Sequence, residues 1–415
     1  MLYNFDEPID RSASHCVKIE RMKDIWKRTD LLPLWVADID FKSPPCVLEA
    51  IQERLKHGIM GYTVPHDGYY TSIVNWVHKR YGMEVERRQI QFVPGIVPGI
   101  YVALQALTEK GDKIVIQQPV YHPFKHIIEG SGRICVNNPL MYKEGTFGFD
   151  FDDLQERIKG CKLLILCNPH NPGGMVWSQK ELERLAETCA QNGVTVISDE
   201  IHADLALPPN RHTPFAMASE TAKEIAVTFM APSKAFNIPG LVAAHALVMN
   251  NGLRERLFRY IRRNDLELGN VFAYIAVEAA YTHGEEWLEQ LIAYLLGNID
   301  FVDNYLKSKM PQIRAIRPQA SFLVFLDGRG LGFGTQEELD RFFVEGAKLA
   351  LNSGTLFGEE GKGFMRMNIA TQRSVLEQAM MQMEGAMRQM EGAMRQMEGA
   401  MRQMEGRFDA ERGDV

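Results

Sequence analysis

The stretch Val194-Thr-Val-Ile-Ser-Asp-Glu-Ile-His202 is a short apolar run that ends in two acidic side chains. Such a run predicts a buried strand, and this strand would bring Asp199 to its carboxyl end. A carboxylate buried there needs a cationic or protonated partner. Seen alone, Asp199 is interpreted equally well as the residue that caps a following helix.

Similar apolar runs alternate with helical patterns from about residue 46 to residue 284. The candidate strands are Ile90–Val93, Lys113–Gln117, Lys162–Cys167, Val194–Ser198, Ile225–Phe229 and Ala243–Val248. Amphipathic segments such as Gln179–Gln191 separate several of them. The alternation predicts an α/β fold in which a mainly parallel sheet is sandwiched by helices, within a large domain at residues 46–284. Ligands of such sheets bind beyond the carboxyl ends of the strands.

The chain after Gly284 has a different pattern. A long helical segment runs to about Lys309, and strands, a further helix and a last strand follow it. These later elements are predicted at Ile313–Ile316, Ser321–Leu326, Gln336–Asn352 and Phe364–Ile369. This pattern therefore predicts a smaller α+β domain at residues 285–382. The irregular residues 1–45 are expected to belong to the same domain.

The heptad MEGAMRQ occurs three times in tandem between Met383 and Gln403. Met, Ala and Met at positions i, i+3 and i+4 form an apolar stripe, but each heptad also contains a helix-weakening glycine. We expect residues 383–415 to form a marginally stable helical or disordered tail. A coiled coil that binds a partner is the less favoured interpretation.

Lys234 lies in Ala231-Pro-Ser-Lys-Ala-Phe-Asn-Ile-Pro-Gly-Leu241, a turn that begins just after a predicted strand. A strand end of this kind points the amine into the crevice of the sheet, where desolvation lowers its pKa and makes it a nucleophile. Without its neighbours, Lys234 would be interpreted as an ordinary surface lysine.

Asn171 lies between two prolines in Leu166-Cys-Asn-Pro-His-Asn-Pro-Gly-Gly174, directly after another predicted strand. The prolines restrict the backbone and hold the amide in a fixed turn. An isolated Asn-Pro turn would indicate only a loop.

Asn171, Asp199 and Lys234 follow one another along the chain in an order that resembles a known family. It is that of the pyridoxal 5′-phosphate (PLP) enzymes of fold type I, in the class I/II aminotransferase superfamily. Four further segments resemble its MalY/PatB branch of cystathionine (cysteine-S-conjugate) β-lyases. They are Leu34–Phe41, Gly61–Thr63, Val120–Phe124 and Ser233–Leu241. The resemblance covers about residues 25–380.

The resemblance implies a role for each site residue. Lys234 would bind PLP covalently, Asp199 would keep its pyridine nitrogen protonated, and Asn171 would bind its phenolate oxygen. Tyr121 would stack on the ring, and His202 would lie near its other edge. The phosphate would be held by the backbone of Ile96 and Val97, by Ser233, and by Tyr62 of a neighbouring subunit. Arg366, Ala37 and Asn171 would bind the substrate carboxylate.

The resemblance also implies a reaction, cleavage of the carbon–sulfur bond of cystathionine or a related cysteine S-conjugate to a thiol, pyruvate and ammonia. Lys234 would remove the Cα proton, and Tyr121 or Tyr62 would protonate the departing sulfur. An aminotransferase is the first alternative, because it shares every step up to proton removal. A regulatory or binding protein that retains the fold is the second.

The composition restricts the partners and the compartment. With 46 basic and 53 acidic residues the net charge is −7, which disfavours a nucleic-acid or anionic-membrane partner. The six cysteines are scattered, so neither a disulfide framework nor a metal site is expected. The amino-terminal sequence is not a secretory signal, and no apolar run reaches the ~20 residues that span a bilayer. We therefore expect a cytoplasmic protein. The resemblance implies in addition a homodimer with shared active sites that acts on a small amino acid.

Overall fold

The computed structural model describes the backbone of residues 3–412 and the side chains of residues 3–393 and 395–400. The strands are β1 (Leu32–Pro33), β2 (Ile90–Val93), β3 (Lys113–Ile116), β4 (Ile134–Asn137), β5 (Met141–Lys143), β6 (Thr146–Gly148), β7 (Cys161–Cys167), β8 (Thr195–Asp199), β9 (Ala226–Met230), β10 (Ala244–Leu247), β11 (Arg314–Ile316), β12 (Leu323–Asp327), β13 (Leu349–Ala350), β14 (Asn352–Ser353) and β15 (Phe364–Asn368). The α-helices are α1 (Val17–Glu20), α2 (Met22–Trp26), α3 (Pro45–Lys56), α4 (Asp67–Tyr81), α5 (Ile96–Leu107), α6 (Pro123–Gly130), α7 (Phe151–Arg157), α8 (Gln179–Gln191), α9 (Glu220–Ile225), α10 (Asn251–Arg263), α11 (Ala273–His283), α12 (Glu285–Lys309), α13 (Gln336–Arg341) and α14 (Arg373–Arg412).

The central sheet has seven strands in the order β2-β10-β9-β8-β7-β3-β4. The five strands from β9 to β4 run parallel, whereas β10 runs antiparallel to both of its neighbours. Successive residues of β8, Val196 and Ile197, enter two different hydrophobic cores, one on each face of the sheet. The structure thus confirms the predicted α/β fold with a mainly parallel, two-faced sheet.

Three neighbouring parallel strands end at one edge of this sheet. Asp199, the last residue of β8, is paired in register with Cys167, the last residue of β7, and with Phe229 of β9. Asn171 follows β7 by four residues, and Lys234 follows β9 by four residues. The strand order therefore brings the three motifs to adjacent positions, because the carboxyl ends of parallel strands share an edge.

A second sheet, antiparallel and four-stranded, has the order β11-β12-β15-β14. Helices α12 and α14 pack beside it, and the buried Asn298 of α12 donates to the carbonyls of Ile369 and Thr371, each at 2.9 Å. Near the amino terminus, where irregular structure was expected, α1, α2 and β1 form, and β1 pairs with β13. The domain limits given above stay predictions.

The prediction of a helix over Gln336–Asn352 is wrong for the second half of that range. Helix α13 ends at Arg341, a π-helical turn covers Phe342–Gly346, and Lys348 adopts a left-handed φ of 55° that stops the helix. Residues 349–351 are buried, and β13 pairs with β1. A contact distant in the sequence thus overrides the local helical pattern.

The last helix, α14, continues through the heptads to Arg412. Met383, Ala386 and Met387 of the first heptad are buried in the core, whereas Met397 of the third is largely exposed. Residues 413–415 of the predicted tail lie outside the described residues. Within residues 3–412, no helix has both the length and the hydropathy that crossing a membrane requires.

Candidate active site

A cavity of about 330 Å³ lies at the carboxyl ends of β7, β8 and β9. Nine of the residues predicted from the sequence line it: Ala37, Ile96, Val97, Tyr121, Asn171, Asp199, His202, Ser233 and Lys234. Arg366 reaches the same place from the second sheet and hydrogen-bonds to Asn171. The strand ends and one strand of the smaller sheet therefore meet in a single concave site.

Lys234 provides the amine of the site. Its Nζ donates to the carbonyl oxygen of Ala37 at 2.5 Å. Burial and the nearby Arg366 guanidinium together lower the pKa of Lys234 to about 8, although the carboxylates of Asp38 and Asp199 oppose both effects. A larger fraction of this amine is neutral near pH 7 than of an ordinary lysine, which suits it to attack an aldehyde or to accept a proton.

Asp199 provides the carboxylate, and it is almost fully buried. Burial raises its pKa to about 7, although the backbone N–H of Ile201 donates to its Oδ1 at 3.1 Å and favours the charged form. The adjacent Glu200 contributes to this rise of the Asp199 pKa, whereas Lys234 opposes it. A carboxylate of this acidity shares a proton readily with a basic ring nitrogen.

Glu200 points away from the cavity and belongs to the core. It accepts hydrogen bonds from His212 Nε2 at 2.7 Å, from Ser198 at 2.9 Å and from the backbone of Phe215 at 2.8 Å. The two adjacent acids are therefore distinct in position, and of the two only Asp199 lines the cavity.

Arg366 brings a guanidinium from β15 into the site. Its Nη1 donates to Asn171 Oδ1 at 3.1 Å, and its Nη2 donates to Asn352 Oδ1 at 2.7 Å and to the carbonyl of Trp35 at 3.0 Å. Its Nε is buried without a hydrogen-bond partner in the described chain, and the guanidinium packs 4.9 Å from the ring centre of Phe357. A fixed guanidinium with a free donor is suited to bind a carboxylate.

Two further side chains of the site, His202 and Tyr121, are uncharged. Burial, together with the positive charges of Lys234 and Arg366, lowers the pKa of His202 to about 3, so its ring is neutral. Burial and the Asp199 carboxylate raise the pKa of Tyr121, so its hydroxyl stays protonated. Both residues can therefore donate or accept hydrogen bonds without adding charge.

The amino terminus of α5 faces the cavity. Gly95, whose φ is 97°, precedes this helix, and no side chain caps it. The free N–H groups of a first helical turn bind anions, and Ile96 and Val97 of this turn line the cavity together with Ser233.

Tyr62 does not join the other predicted site residues. Its side chain is fully exposed and does not line the cavity of its own chain. Its predicted role in a neighbouring subunit therefore stays a prediction.

Among the site residues that were not identified from the sequence, three contact predicted ones. The thiol of Cys167 lies in the cavity wall and accepts the backbone N–H of Asn171 at 3.3 Å. Asn352 and Phe357 both contact Arg366, but Asn352 was assigned to a helix and Phe357 to no element. Only Cys167 had a local signal, since it lies in the same strand-end motif as Asn171.

A family model described as aminotransferase class I and II matches residues 29–382. The chain belongs to this family. Cystathionine beta-lyase PatB of Bacillus subtilis (strain 168) is 41% identical over 382 residues, which cover 92% of this chain and 98% of that protein. This similarity confirms the predicted membership of the MalY/PatB branch.

Solved structures of this family agree with the fold. A PLP-bound putative aminotransferase from Clostridium difficile 630 matches with a TM-score of 0.90 and 39% identity, covering 92% of this chain and 99% of that chain. A PLP-bound C–S lyase from Staphylococcus hominis matches with a TM-score of 0.86 and 34% identity, covering 92% and 98%. These likenesses confirm fold type I and PLP as the cofactor.

The residues present fit PLP. The cavity offers an amine for the aldehyde, a buried carboxylate for the ring nitrogen and a helix amino terminus for the phosphate. The buried Nδ1 of His202 and Nε of Arg366 lack protein partners in the described chain, as expected of groups that serve a ligand.

Proposed function

We propose that this family member cleaves the carbon–sulfur bond of cystathionine or a related cysteine S-conjugate, yielding a thiol, pyruvate and ammonia. One observation carries the proposal: the amine of Lys234 and the carboxylate of Asp199 line one cavity, and the guanidinium of Arg366 is hydrogen-bonded to Asn171 in the wall of that cavity. The similarity to PatB, which is named a cystathionine beta-lyase, supports this substrate class.

Lys234 moves the proton in this proposal. When bound, PLP supplies an electron sink that stabilises negative charge at the substrate Cα. The neutral Nζ of Lys234 accepts the Cα proton, and its hydrogen bond to the carbonyl of Ala37 aims the amine. The buried carboxylate of Asp199 would hold the ring nitrogen of the cofactor in its protonated form.

Arg366 orients the substrate. Its guanidinium binds the α-carboxylate as a bidentate pair, and Asn171 and the backbone of Ala37 complete the contact. Since Asn352 and the carbonyl of Trp35 already fix one side of the guanidinium, little entropy is lost when a substrate binds.

The departing sulfur takes a proton as the carbon–sulfur bond breaks, and the remaining three-carbon fragment is hydrolysed to pyruvate and ammonia. Tyr121 keeps its proton and lines the cavity, which makes it one donor for this step. Tyr62 of a neighbouring subunit is the other.

We further propose that the protein works as a homodimer in the cytoplasm, with active sites shared between subunits. The segment around Tyr62 is unusually apolar for a surface, since Ile59, Met60, Tyr62 and Val64 are all more than half exposed. Such a patch is typical of a protein interface.

Incubation with cystathionine, with and without a keto acid, tests the proposed reaction. Release of pyruvate and thiol without a keto acid supports the lyase. Conversion of the cofactor to its pyridoxamine form without release of ammonia would instead establish an aminotransferase.

A further inference from the structure

A cluster of four charged residues includes Asp38, which directly follows Ala37, the residue whose carbonyl contacts Lys234. Arg11 Nη2 lies 2.6 Å from Asp38 Oδ2, and its Nη1 lies 2.6 Å from Asp40 Oδ1. Lys18 Nζ lies 2.9 Å from Asp38 Oδ1 and 2.8 Å from Asp40 Oδ1. Two cations and two anions thus form a closed network of zero net charge.

The burial of this cluster is unusual for its composition. The side chain of Lys18 is only 2% exposed, and those of Asp38 and Asp40 are each 15% exposed. A lysine is rarely buried so deeply unless it is paired, because desolvation of its charge is costly. The cluster therefore fixes the segment that contains both aspartates in one position.

Other contacts hold the same segment on its remaining sides. Asn368 Nδ2 donates to the carbonyls of Val36 and Asp38, each at 2.6 Å. Asn237, three residues after Lys234, donates to the carbonyl of Ile39 at 3.0 Å. The carbonyl of Ala37 lies within this fixed segment and is the one that accepts the Lys234 amine.

The charge of Asp38 also reaches Lys234. Burial alone would raise the pKa of Asp38, but the hydrogen bond from Arg11 and the charge of Lys18 bring it below the ordinary value, so Asp38 is ionised. Around Lys234, Arg366 disfavours the ammonium, whereas Asp38 and Asp199 favour it. The other titratable residues that line the cavity are uncharged, because the pKa of His202 is lowered and those of Tyr121 and Cys167 are raised.

We propose that Asp38 is a positioning residue for Lys234: it holds the Ala37 carbonyl against Lys234 Nζ and places one negative charge beside that nitrogen. Arg11 and Lys18 act through Asp38, so residues near the amino terminus govern the proton on the catalytic amine. This inference rests on the proposed function, because it assigns a role within the same site.

Asp40 provides a matched control for Asp38. Both carboxylates contact Arg11 and Lys18 and are equally exposed. Asp38, however, directly follows Ala37 in the chain, and its charge, rather than that of Asp40, is among the main influences on the pKa of Lys234. A purely structural role of the cluster would therefore give the same result for both aspartates. An electrostatic and positioning role would separate them.

The test is a pH titration of the visible absorbance of the full-length holoenzyme without substrate. This absorbance depends on whether Lys234 Nζ, joined to the cofactor, carries a proton. Asp38→Asn is expected to move the midpoint to lower pH by about one unit, and Asp40→Asn by less than about 0.3 units. Equal shifts in the two variants, or no shift in Asp38→Asn, would overturn the proposal.

Arg11→Gln provides a second variant in case Asp38→Asn does not fold. Arg11 is 22% exposed, and its loss leaves the charge of Asp38 less compensated. The midpoint should then move to higher pH, and an unchanged or lower midpoint contradicts the proposal. The titration contains no substrate, so its result does not depend on the proposed reaction. If a separate assay with cystathionine gave no pyruvate, the lyase function would be refuted, but this inference would still stand.

Discussion

Burial changes the acidity of Asp199 and Lys234 in opposite directions. The carboxyl pKa rises to about 7 and the amine pKa falls to about 8, because burial disfavours the charged form of each group. The pKa values of both groups therefore lie near neutral pH. A proton can be exchanged with either at little cost, as general acid–base catalysis requires.

The acidity of Lys234 predicts the pH dependence of cofactor attachment. Only the neutral amine attacks the aldehyde, and with a pKa of about 8 roughly a tenth of it is neutral at pH 7. Attachment of PLP to the cofactor-free protein, followed by absorbance, should accelerate up to about pH 8 and then level off. Free Nα-acetyl-lysine, measured alongside, corrects for ionisation of PLP itself. A rate that still climbs at pH 10 would contradict the prediction.

Arg366→Lys is expected to weaken substrate binding rather than cofactor binding. An ammonium cannot form the two parallel hydrogen bonds of a guanidinium, so the KM for cystathionine should rise about 10- to 100-fold. The visible absorbance of the bound cofactor should stay unchanged, since Arg366 does not itself line the cavity that Lys234 and Asp199 form. An unaltered KM would show that Arg366 does not bind the carboxylate.

Residues at strand ends could be predicted from the sequence, whereas residues assembled from distant segments could not. Asn171, Asp199 and Lys234 each follow a short apolar run, and parallel strands bring such positions to one edge. Asn352 and Phe357 reach Arg366 only through tertiary contacts. No local pattern marks positions of that kind.

Among the elements, local capping explains which bounds were predicted well. Helix α8 begins and ends where its pattern indicated, because Ser178 and Glu181 form a capping box at its start. Strand β13 was missed, because the strand with which it pairs, β1, lies more than 300 residues away in the sequence. Local chemistry specifies the first element, and only the assembled fold specifies the second.

Two truncations within helix α14 are expected to have different effects on the stability of the fold. Ending the chain after residue 382 removes Met383, Ala386 and Met387 from the core, which should cost about 3 kcal/mol or more. Ending it after residue 390 keeps these contacts. Calorimetry should give a Tm lower by about 5 °C for the shorter chain and a nearly unchanged Tm for the longer one. Equal Tm values would mean that the first heptad does not stabilise the fold.

At the scale of the whole molecule, the exposed Tyr62 allows a test of whether two subunits share their active sites. Tyr62→Ala and Lys234→Ala should each lose activity as separate proteins. When the two variants are co-expressed, half of the dimers are mixed, and each mixed dimer has one intact site if Tyr62 acts across the interface. Activity should then recover to about a quarter of the wild-type value. No recovery would mean that Tyr62 acts within its own subunit or not at all.

The most direct test of the account is Lys234→Ala in the full-length protein with PLP and cystathionine. We predict that pyruvate release falls to background and that the absorbance shift caused by covalent attachment of the cofactor disappears. Lys223→Ala, which alters a partly exposed lysine of α9, should keep both properties. Normal turnover by Lys234→Ala would contradict the assignment of Lys234 as the residue that binds the cofactor and moves the proton.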